Sequence, residues 1–296
     1  MIRRSFIPGS RWLYFKIYTG QKSADELLFR NVARLVDRLY AERIVDNFFF
    51  IRYTDPDFHL RLRFHIPDSA AYGKLFGEFI REFEPLADNG TIVKIACDTY
   101  VREIERYGAD SVELLENLFG IDSLHVLKLL SLVEQQESLE QKEHTRWKLA
   151  LCLLDDTLSE FGYTLDRKSK LMTGISDRFL REFGFITHAY TKQLNDKYRI
   201  FRKEIDLYLS ERDISPEFER ILASRRGRIS EIAAKLREMK DAALDIPASE
   251  TLLPSILHMT MNRWFRSQNR VHELVLYDFL KKYYGSVLAR RRNAIE

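Results

Sequence analysis

The residues best suited to chemistry stand in one short basic stretch, residues 55–68. Successive side chains of a β-strand point to opposite faces, so this stretch, taken as a strand, places its basic residues together. Those residues are His59, Arg61, Arg63 and His65. The planar guanidinium of arginine makes bidentate contacts with carboxylates, and such a row favours an anionic ligand. The alternative is an ordinary half-exposed strand whose charges are solvated.

Further basic and aromatic residues come at or near the ends of neighbouring predicted strands. Arg52 lies near the end of FFFIRY, and DTYVREIERYG brings Tyr100, Arg102 and Arg106. If these segments join the same sheet, several guanidinium groups gather in one place, which argues against simple solvation. For the second segment taken alone, an ion-pair network within the segment is the simpler interpretation, and such a network contributes little at a surface.

A histidine near the C-terminus is a candidate for proton transfer. His258 lies on a predicted helix with Asn262 one turn away and Arg263 close by. An imidazole with such neighbours suits general acid–base catalysis, although a lone helical histidine is more often a structural residue. Glu273, on the following helix, is the nearest carboxylate after it in the sequence, and a surface position is the default expectation for it.

Several catalytic signatures are missing from the sequence. It contains no glycine-rich phosphate loop, no G-x-S-x-G elbow and no H-E-x-x-H motif. His59 and His65 are too far apart on one strand to be obvious ligands of a shared metal, and no convincing carboxylate completes such a site. We therefore expect neither a metal nor a cofactor.

The overall composition limits the class of protein. The chain has 296 residues, 45% of them hydrophobic, which suffices for a large core. Its formal charge of +3 is far below the basic excess that indicates a nucleic-acid coat. Cys97 and Cys152 are the only cysteines, so a disulfide framework is excluded. No apolar signal segment or membrane-length run is present, and we expect a cytoplasmic protein without direct nucleic-acid contacts.

The elements that must position these residues follow from the hydrophobic pattern. Strand signals occur at residues 12–18, 46–53, 59–66 and 91–100, and amphipathic helices at residues 24–40 and 69–84. Ser23 and Glu26 form a capping-box signature for the first helix, and the second is expected to end near Pro85. The order strand, helix, strand, strand, helix, strand is that of a ferredoxin-like split βαβ unit.

From about residue 111 the pattern is helical. Apolar-striped segments follow near residues 112–119, 122–138, 143–161, 166–210, 216–242, 251–264 and 270–290, with a break at Gly184. We therefore predict an α+β protein. A ferredoxin-like βαββαβ layer in residues 1–110 carries the arginine strand, and a mainly α-helical part in residues 111–296 carries the histidine motif. We expect the two parts to form one integrated domain.

Several motifs, taken in order, resemble a known family. They are RWLYFKIYTG, FFFIRYTDPDFHLRLRF, DTYVREIERYG, ENLFGIDS and LHMTMNRWF. This set is similar to the C-terminal domain of class I lanthipeptide (lantibiotic) dehydratases. The same domain occurs as free-standing proteins in thiopeptide-type bacteriocin biosynthesis. The resemblance covers nearly the whole chain.

The resemblance implies an activity and a set of site residues. In this family the domain is a lyase that removes glutamate from glutamylated Ser or Thr of a ribosomally made precursor peptide, leaving dehydroalanine or dehydrobutyrine. The essential arginines of the family match Arg61, Arg63 and Arg102, and its essential histidine matches His258. β-Elimination involves anions that arginines accommodate well, so we expect these four residues to be catalytic. The expected substrate-binding residues are Arg52, Tyr100, Arg106, Asn262, Arg263 and Glu273.

The resemblance also implies partners. Nothing in the sequence matches the glutamylating region of the longer relatives, so we expect a separate enzyme that uses glutamyl-tRNA to supply the glutamylated precursor peptide. A cyclase is a further candidate partner. Relatives in the family often dimerise, and a homodimer is a candidate state of this chain.

Two other functions stay open at this point. A pyridine synthase of a thiopeptide pathway is built on the same domain and joins two dehydroalanines in a formal cycloaddition; retention of the four catalytic residues favours elimination. A non-catalytic adaptor for the precursor peptide would tolerate alanine at Arg63 or His258. The identity of the precursor peptide, the class of product and the division of labour among the arginines are not decided by the sequence.

Overall fold

The computed structural model describes residues 2–185 and 188–294, and β-strands form near its N-terminus. These are β1 (Ser5–Phe6), β2 (Trp12–Thr19), β3 (Asn47–Thr54), β4 (Phe58–His65), β5 (Ile92–Asp98) and β6 (Tyr100–Val101). Four of them build an antiparallel sheet in the order β3-β4-β2-β5, while β1 pairs with β6. This order, with helices between the strands, confirms the predicted ferredoxin-like arrangement.

The register of the sheet gathers the basic side chains on one face, as predicted. Arg63 lies opposite Tyr14 of β2 and Phe49 of β3, and Arg61 lies opposite Lys16 of β2. Residues directly opposite each other in antiparallel strands share a face of the sheet. The alternate side chains of β4 point to the other face and are fully buried: Leu60, Leu62 and Phe64.

Helices cover this apolar face. They are α1 (Gln21–Glu26) and α2 (Ala33–Ala41), joined by a π-helical segment at Leu27–Val32, and α3 (Tyr72–Asp88), preceded by a 3₁₀ turn at Ser69–Ala71. The ring of Phe79 on α3 stacks on Phe15 of β2 with the ring centroids 4.0 Å apart. Between the same helices, Arg38 of α2 forms an ion pair at 2.8 Å with the buried Glu82 of α3.

The first of these helices differs from the prediction in its cap, and α3 ends near Pro85 as predicted. The first helix begins directly after Gly20, its N-cap, and no side chain caps it. The predicted capping box of Ser23 and Glu26 is therefore wrong, because both residues already lie inside the helix. The helix α3 continues past Pro85. Only the last turn follows the proline, so the missing N–H group removes a single helical hydrogen bond.

The second half of the described chain is helical, as predicted. Its helices are α4 (Ile104–Tyr107), α5 (Val112–Glu134), α6 (Leu139–Glu160), α7 (Leu165–Glu182), α8 (His188–Asp206), α9 (Pro216–Asp241), α10 (Ser249–Trp264) and α11 (Asn269–Asn293). A π-helical segment, Leu207–Glu211, follows α8. The predicted break at Gly184 is confirmed, and its φ of 68° is in the left-handed region that favours glycine at a helix end. The segments predicted at 112–119 and 122–138 form one helix, α5.

The outer edge of β3 is closed by side chains. The Ser123 hydroxyl of α5 accepts a hydrogen bond from the Phe50 backbone N–H at 3.2 Å. Asn262 of α10 accepts from the backbone N–H of Arg52 at 2.9 Å and donates to its carbonyl at 2.8 Å. Arg263 donates to the Phe50 carbonyl at 2.9 Å. Edge strands with unpaired backbone groups can pair with other chains, and these contacts satisfy the groups instead.

Two compact units divide the chain, and both are discontinuous in sequence. The first comprises Met1–Gln135, Glu231–Ala248 and Asn262–Ser267, and it contains the strands and the whole of α5. The second comprises Gln136–Ser230, Ser249–Met261 and Gln268–Glu296. Within the second unit, Phe179 of α7 meets the ring of Tyr277 of α11 edge-on, with centroids 5.4 Å apart. The predicted boundary near residue 110 stays a prediction.

The helices of the described chain lack the features of membrane spans. Across residues 2–185 and 188–294, none has both the length and the apolar character that crossing a bilayer requires.

Candidate functional site

Arg63 lies on the basic face inside a cage of three aromatic rings. Its Cζ atom is 4.7 Å from the ring centroid of Tyr14, 4.9 Å from that of Tyr100 and 5.1 Å from that of Phe49. Only 8% of the residue is exposed, and within the described residues no carboxylate pairs with it. Burial lowers the pKa of Arg63, but the ordinary value is so high that the guanidinium stays charged at neutral pH. The cage therefore holds a desolvated cation without a counter-ion.

Arg61 lies two residues earlier on β4, about 7 Å along the strand. Its guanidinium stacks on Tyr53, with Cζ 3.4 Å from the ring centroid, and its Nε donates to Nε2 of His59 at 3.1 Å. Lys16, opposite Arg61, forms an ion pair with Asp98 at 2.5 Å, whereas Arg61 has none in the part of the chain that the structure describes. Two neighbouring guanidinium groups on one face thus lack ion-pair partners, as an anion site requires.

Arg102 is committed to an ion pair. Its Nε and Nη2 donate to the two carboxylate oxygens of Glu116 at 2.8 and 2.7 Å, and both side chains are buried. Its Nη1 donates to Glu113 at 3.0 Å. The Tyr100 hydroxyl donates to Glu116 at 2.7 Å, and burial together with Glu116 raises the pKa of Tyr100 well above its ordinary value. Through Glu116, Arg102 therefore holds one ring of the cage around Arg63.

Three of the predicted substrate-binding residues have partners inside the first unit. Arg52 forms an ion pair with Asp25 at 2.6 Å, and both side chains are almost fully buried. Arg263 pairs with Asp122 at 2.9 Å, also in the interior, in addition to its contact with β3. The amide of Asn262 is used by the backbone at the strand edge. All three side chains are thus engaged by partners within the first unit, and their predicted contact with substrate stays a prediction.

Arg106 lies at the surface. It forms an ion pair with Glu103, three residues earlier, at 3.2 Å, and its Cζ atom lies 5.3 Å from the ring centroid of Tyr107. Solvent screens such a pair, which contributes little to stability. The interpretation of this segment as a local ion-pair network therefore describes Arg106, but it is wrong for Arg102, whose partners lie on α5.

His258 belongs to the second unit and is held by a buried carboxylate. Its Nδ1 lies 2.9 and 3.1 Å from the two carboxylate oxygens of Glu273 on α11. A carboxylate only accepts, so in the neutral imidazole Nδ1 carries the proton and Nε2 presents a lone pair. The Tyr277 hydroxyl donates to the same carboxylate at 2.9 Å. Burial together with Glu273 raises the pKa of Tyr277 well above its ordinary value.

The expectation of a surface position for Glu273 is wrong. Its side chain is 0% exposed, while that of His258 is 32% exposed. The helix α11 turns this carboxylate inward, and Tyr277 lies one turn further along the same face. A buried carboxylate behind a partly exposed imidazole is the arrangement that orients a general base in hydrolytic triads. Glu273 thus supports His258 from the interior, and its predicted contact with substrate stays a prediction.

Some residues of these clusters were not predicted from the sequence. Tyr14 and Phe49 lie in segments that were recognised as strands, but only the register of the sheet sets them beside the caged arginine. Glu116 opens the motif ENLFGIDS, but its pairing with Arg102 was not predicted, because the two residues are on different elements. Tyr277 lies four residues after Glu273, and this helical spacing could have identified it.

The side chains of these clusters are suited to binding anions and transferring protons. No group of His, Cys, Asp and Glu among residues 2–185 and 188–294 is arranged to hold a metal ion. The two clusters offer guanidinium groups in the first unit and an imidazole with its carboxylate in the second. Such groups can bind carboxylates, stabilise developing negative charge and move a proton.

Comparisons with known proteins agree with the motifs. The family model described as "Lantibiotic biosynthesis dehydratase C-term" matches residues 12–284. Subtilin biosynthesis protein SpaB of Bacillus subtilis is 24% identical over 91% of this chain. Nisin biosynthesis protein NisB of Lactococcus lactis subsp. lactis is 25% identical over 95% of it. The chain spans only 25% and 26% of the lengths of these two relatives.

Solved structures share the fold. The tRNA dependent lantibiotic dehydratase MibB from Microbispora sp. 107891 gives a TM-score of 0.75 at 23% identity, covering 97% of this chain and 29% of that one. The pyridine synthase TbtD from thiomuracin biosynthesis gives 0.61 at 17% identity, covering 93% of this chain and 99% of that one. Because the family model matches nearly the whole length, this chain belongs to the family of lantibiotic biosynthesis dehydratase C-terminal domains.

Proposed function

We propose that this chain eliminates glutamate from glutamylated Ser and Thr side chains of a precursor peptide, giving dehydroalanine and dehydrobutyrine. The observation that carries the proposal is the caged Arg63, a buried cation without a carboxylate partner among the described residues. Burying an unpaired charge destabilises the fold, and a bound anionic ligand would offset this cost. The proposed reaction releases a carboxylate, an anion that a guanidinium binds in a bidentate manner.

The reaction removes one proton from the substrate and shifts the electrons of the broken C–H bond along it. A base takes the α-proton of the esterified residue, and the C–H electrons form the Cα–Cβ double bond. The Cβ–O bond breaks, and its electrons leave with the carboxylate of glutamate. Negative charge therefore develops on the residue's carbonyl oxygen and on the leaving group, and positive groups placed at these atoms lower the barrier.

The arginines divide the anionic groups of the substrate between them. A tRNA carries its amino acid through the α-carboxyl group, so the ester uses that group and the side-chain carboxylate stays free. We assign Arg63 to the departing carboxylate, because a desolvated guanidinium interacts most strongly with charge that develops during the reaction. Arg61 binds the side-chain carboxylate. Arg102 acts as a positioning residue that fixes Tyr100 through Glu116.

His258 is the base in this proposal. Its Nε2 takes the α-proton, and Glu273 stabilises the resulting imidazolium through the hydrogen bond to Nδ1. Tyr277 fixes the carboxylate in turn. A positioned base of this kind typically contributes a factor of about 100 to 10,000 to the rate.

The substrate must come from another enzyme. The proposed activity consumes a glutamyl ester, so the partners are the precursor peptide and an enzyme that esterifies it from glutamyl-tRNA, both in the cytoplasm. The structural neighbour MibB, which is described as tRNA dependent, supports this view. A cyclase that adds thiols to dehydrated residues would consume the product.

A pyridine synthase is the second candidate. It is supported by the fold shared with TbtD over 99% of that chain. Joining two dehydroalanines releases no glutamate, however, so this activity leaves Arg61 and Arg63 without an anion to bind. An adaptor without chemistry gives no role to the carboxylate that orients His258.

Mass spectrometry of a synthetic peptide with a glutamyl ester on Ser tests the proposal. Wild type should convert the ester to dehydroalanine, and the double variant Arg63→Ala, His258→Ala should leave it intact. If neither protein changes the ester but wild type acts on a bis-dehydroalanine peptide, the synthase is the better assignment. If both substrates stay unchanged, the non-catalytic adaptor is the better assignment.

A further inference from the structure

His59 is fully buried, and the reaction described above gives it no part. Its Nδ1 lies 2.8 Å from the carbonyl oxygen of Asp57, and its Nε2 lies 3.1 Å from the Nε of Arg61. A carbonyl only accepts hydrogen bonds and a guanidinium only donates them. The ring therefore carries its proton on Nδ1 and offers the lone pair of Nε2, so the two contacts select one neutral tautomer.

The surrounding rings fix the position of both side chains. Tyr18 and Tyr53 flank the imidazole of His59, with ring centroids 4.7 and 5.7 Å away. Tyr53 also stacks on the guanidinium of Arg61. His59 thus fixes one nitrogen of Arg61, and Tyr53 fixes its plane. Within the residues that the structure describes, the terminal nitrogens of Arg61 have no ion pair and point to no internal acceptor.

We propose that His59 is a positioning residue that aims the terminal fork of Arg61 at the side-chain carboxylate of the acyl group, so that this pair selects the ester. The inference rests on the proposed function. A bidentate contact requires a defined plane and direction of the guanidinium, and fixing both in advance removes the entropy cost of ordering a long side chain on binding. A glutaminyl ester has the same shape without the charge and leaves Arg61 unpaired. Such a mismatch is strongly discriminated against.

The test measures kcat/KM for glutamyl and glutaminyl ester peptides on the same protein preparation. Wild type should prefer the glutamyl ester. His59→Phe should lower that preference by about 10-fold or more, mainly through a higher KM, because Arg61 loses the hydrogen bond that fixes the direction of its guanidinium. His59→Gln should restore part of it, since its Oε1 can accept from Arg61. His65→Gln, on the same strand face, is the matched control and should leave the preference unchanged.

The ratio of the two substrates cancels the fraction of protein that is active, so poor folding of a variant cannot mimic the effect. An unchanged preference in His59→Phe, with wild type active, would overturn the role of His59 and leave the proposed reaction in place. If wild type processes neither ester, the proposed reaction fails. In that case, the equilibrium affinities for the glutamyl and glutaminyl ester peptides test the role of His59. Loss of a glutamyl preference in His59→Phe supports the inference, and equal binding of both peptides to wild type refutes it.

Discussion

The buried charge of Arg63 is needed for the proposed function but destabilises the fold. Cation–π contacts with the surrounding rings stabilise its guanidinium by about 0.5–2 kcal/mol each, whereas burial of an unpaired charge costs several kcal/mol. Arg63→Met keeps an unbranched chain in the cage and removes the charge. We expect the free energy of unfolding to rise by about 1–2 kcal/mol. We expect elimination to slow by about 100-fold or more. Urea denaturation and turnover of a glutamyl ester peptide measure the two effects.

An exposed arginine provides the control for this pair of effects. The side chain of Arg30 is 65% exposed and, among the described residues, forms an ion pair with Glu26 alone, four residues earlier. Arg30→Met should therefore change stability by less than about 0.5 kcal/mol and leave turnover intact. If Arg63→Met instead lowers stability together with activity, the caged charge supports the fold, and its assignment as the anion site is wrong.

The carboxylate behind His258 gives the second prediction at the scale of residues. Glu273→Gln keeps the size of the side chain but loses the charge that stabilises an imidazolium. Turnover of the glutamyl ester should fall by about 100-fold or more at saturating substrate, with little change in KM. Glu137→Gln, at an exposed position of the same unit, should have no effect. Unchanged turnover in Glu273→Gln would remove His258 from the role of oriented base.

At the scale of elements, the pair of Arg102 and Glu116 joins the segment directly after β6 to α5. Removing one partner of a buried ion pair leaves the other charge uncompensated and typically costs about 3–5 kcal/mol. We expect Glu116→Leu to be destabilised by this amount, and the double variant Arg102→Met, Glu116→Leu to recover most of the loss in a double-mutant cycle. Urea denaturation provides all the values. Additive losses would show that the two residues do not act as a pair.

The contact of α5 with β3 depends on the absence of a side chain at Gly120. A Cβ atom there would lie 2.0 Å from Oδ1 of Asn47 and 3.2 Å from the carbonyl oxygen of Phe48. Gly120→Ala should therefore destabilise the chain by about 1–3 kcal/mol. Gly174→Ala is the control on another helix, where a Cβ meets nothing within 4 Å, and it should stabilise by about 0.5–1 kcal/mol. Equal effects in thermal denaturation would contradict this view of the contact.

The elements near the N-terminus could be predicted from the sequence because their signals are local. Alternation along β4 predicted that Arg61 and Arg63 share a face, and the register confirms it. The partners of the other arginines could not be predicted. A guanidinium makes the same fork contact with a bound anion as with an internal carboxylate, so the sequence does not distinguish an arginine that awaits a ligand from Arg52 or Arg263. These two pair with Asp25 and Asp122, which only tertiary packing brings close.

At the scale of the whole molecule, His59 makes stability depend on pH. Burial lowers the pKa of His59 and is the largest effect. The hydrogen bond to the Asp57 carbonyl opposes this shift, the positive charges of Arg61 and Lys16 add to it, and Asp55 opposes it weakly. The unfolded chain takes up this proton as the pH falls through about 6.5, while the folded chain takes it up only at lower pH. As the pH decreases from the unfolded pKa to the folded pKa of His59, the free energy of unfolding therefore decreases. Above both pKa values His59 is neutral in both states and does not make stability depend on pH.

Comparison with a variant isolates this contribution. Between pH 7.5 and pH 5.5, wild type should lose more stability than His59→Gln, whose side chain does not titrate. Urea denaturation of both proteins at the two pH values gives the difference, in which the contributions of shared carboxylates cancel. An equal loss in both proteins would mean that His59 accepts a proton in the folded state as readily as in the unfolded one.

The central claim, that the chain eliminates glutamate, is tested most directly by counting both products of one reaction. A peptide with a glutamyl ester on Ser is incubated with wild type, and free glutamate and dehydroalanine are quantified together by mass spectrometry. Elimination predicts one dehydroalanine for each glutamate released, and none of either above background with Arg63→Met. Glutamate released together with regenerated Ser would indicate ester hydrolysis, and an ester left intact by wild type would contradict the account altogether.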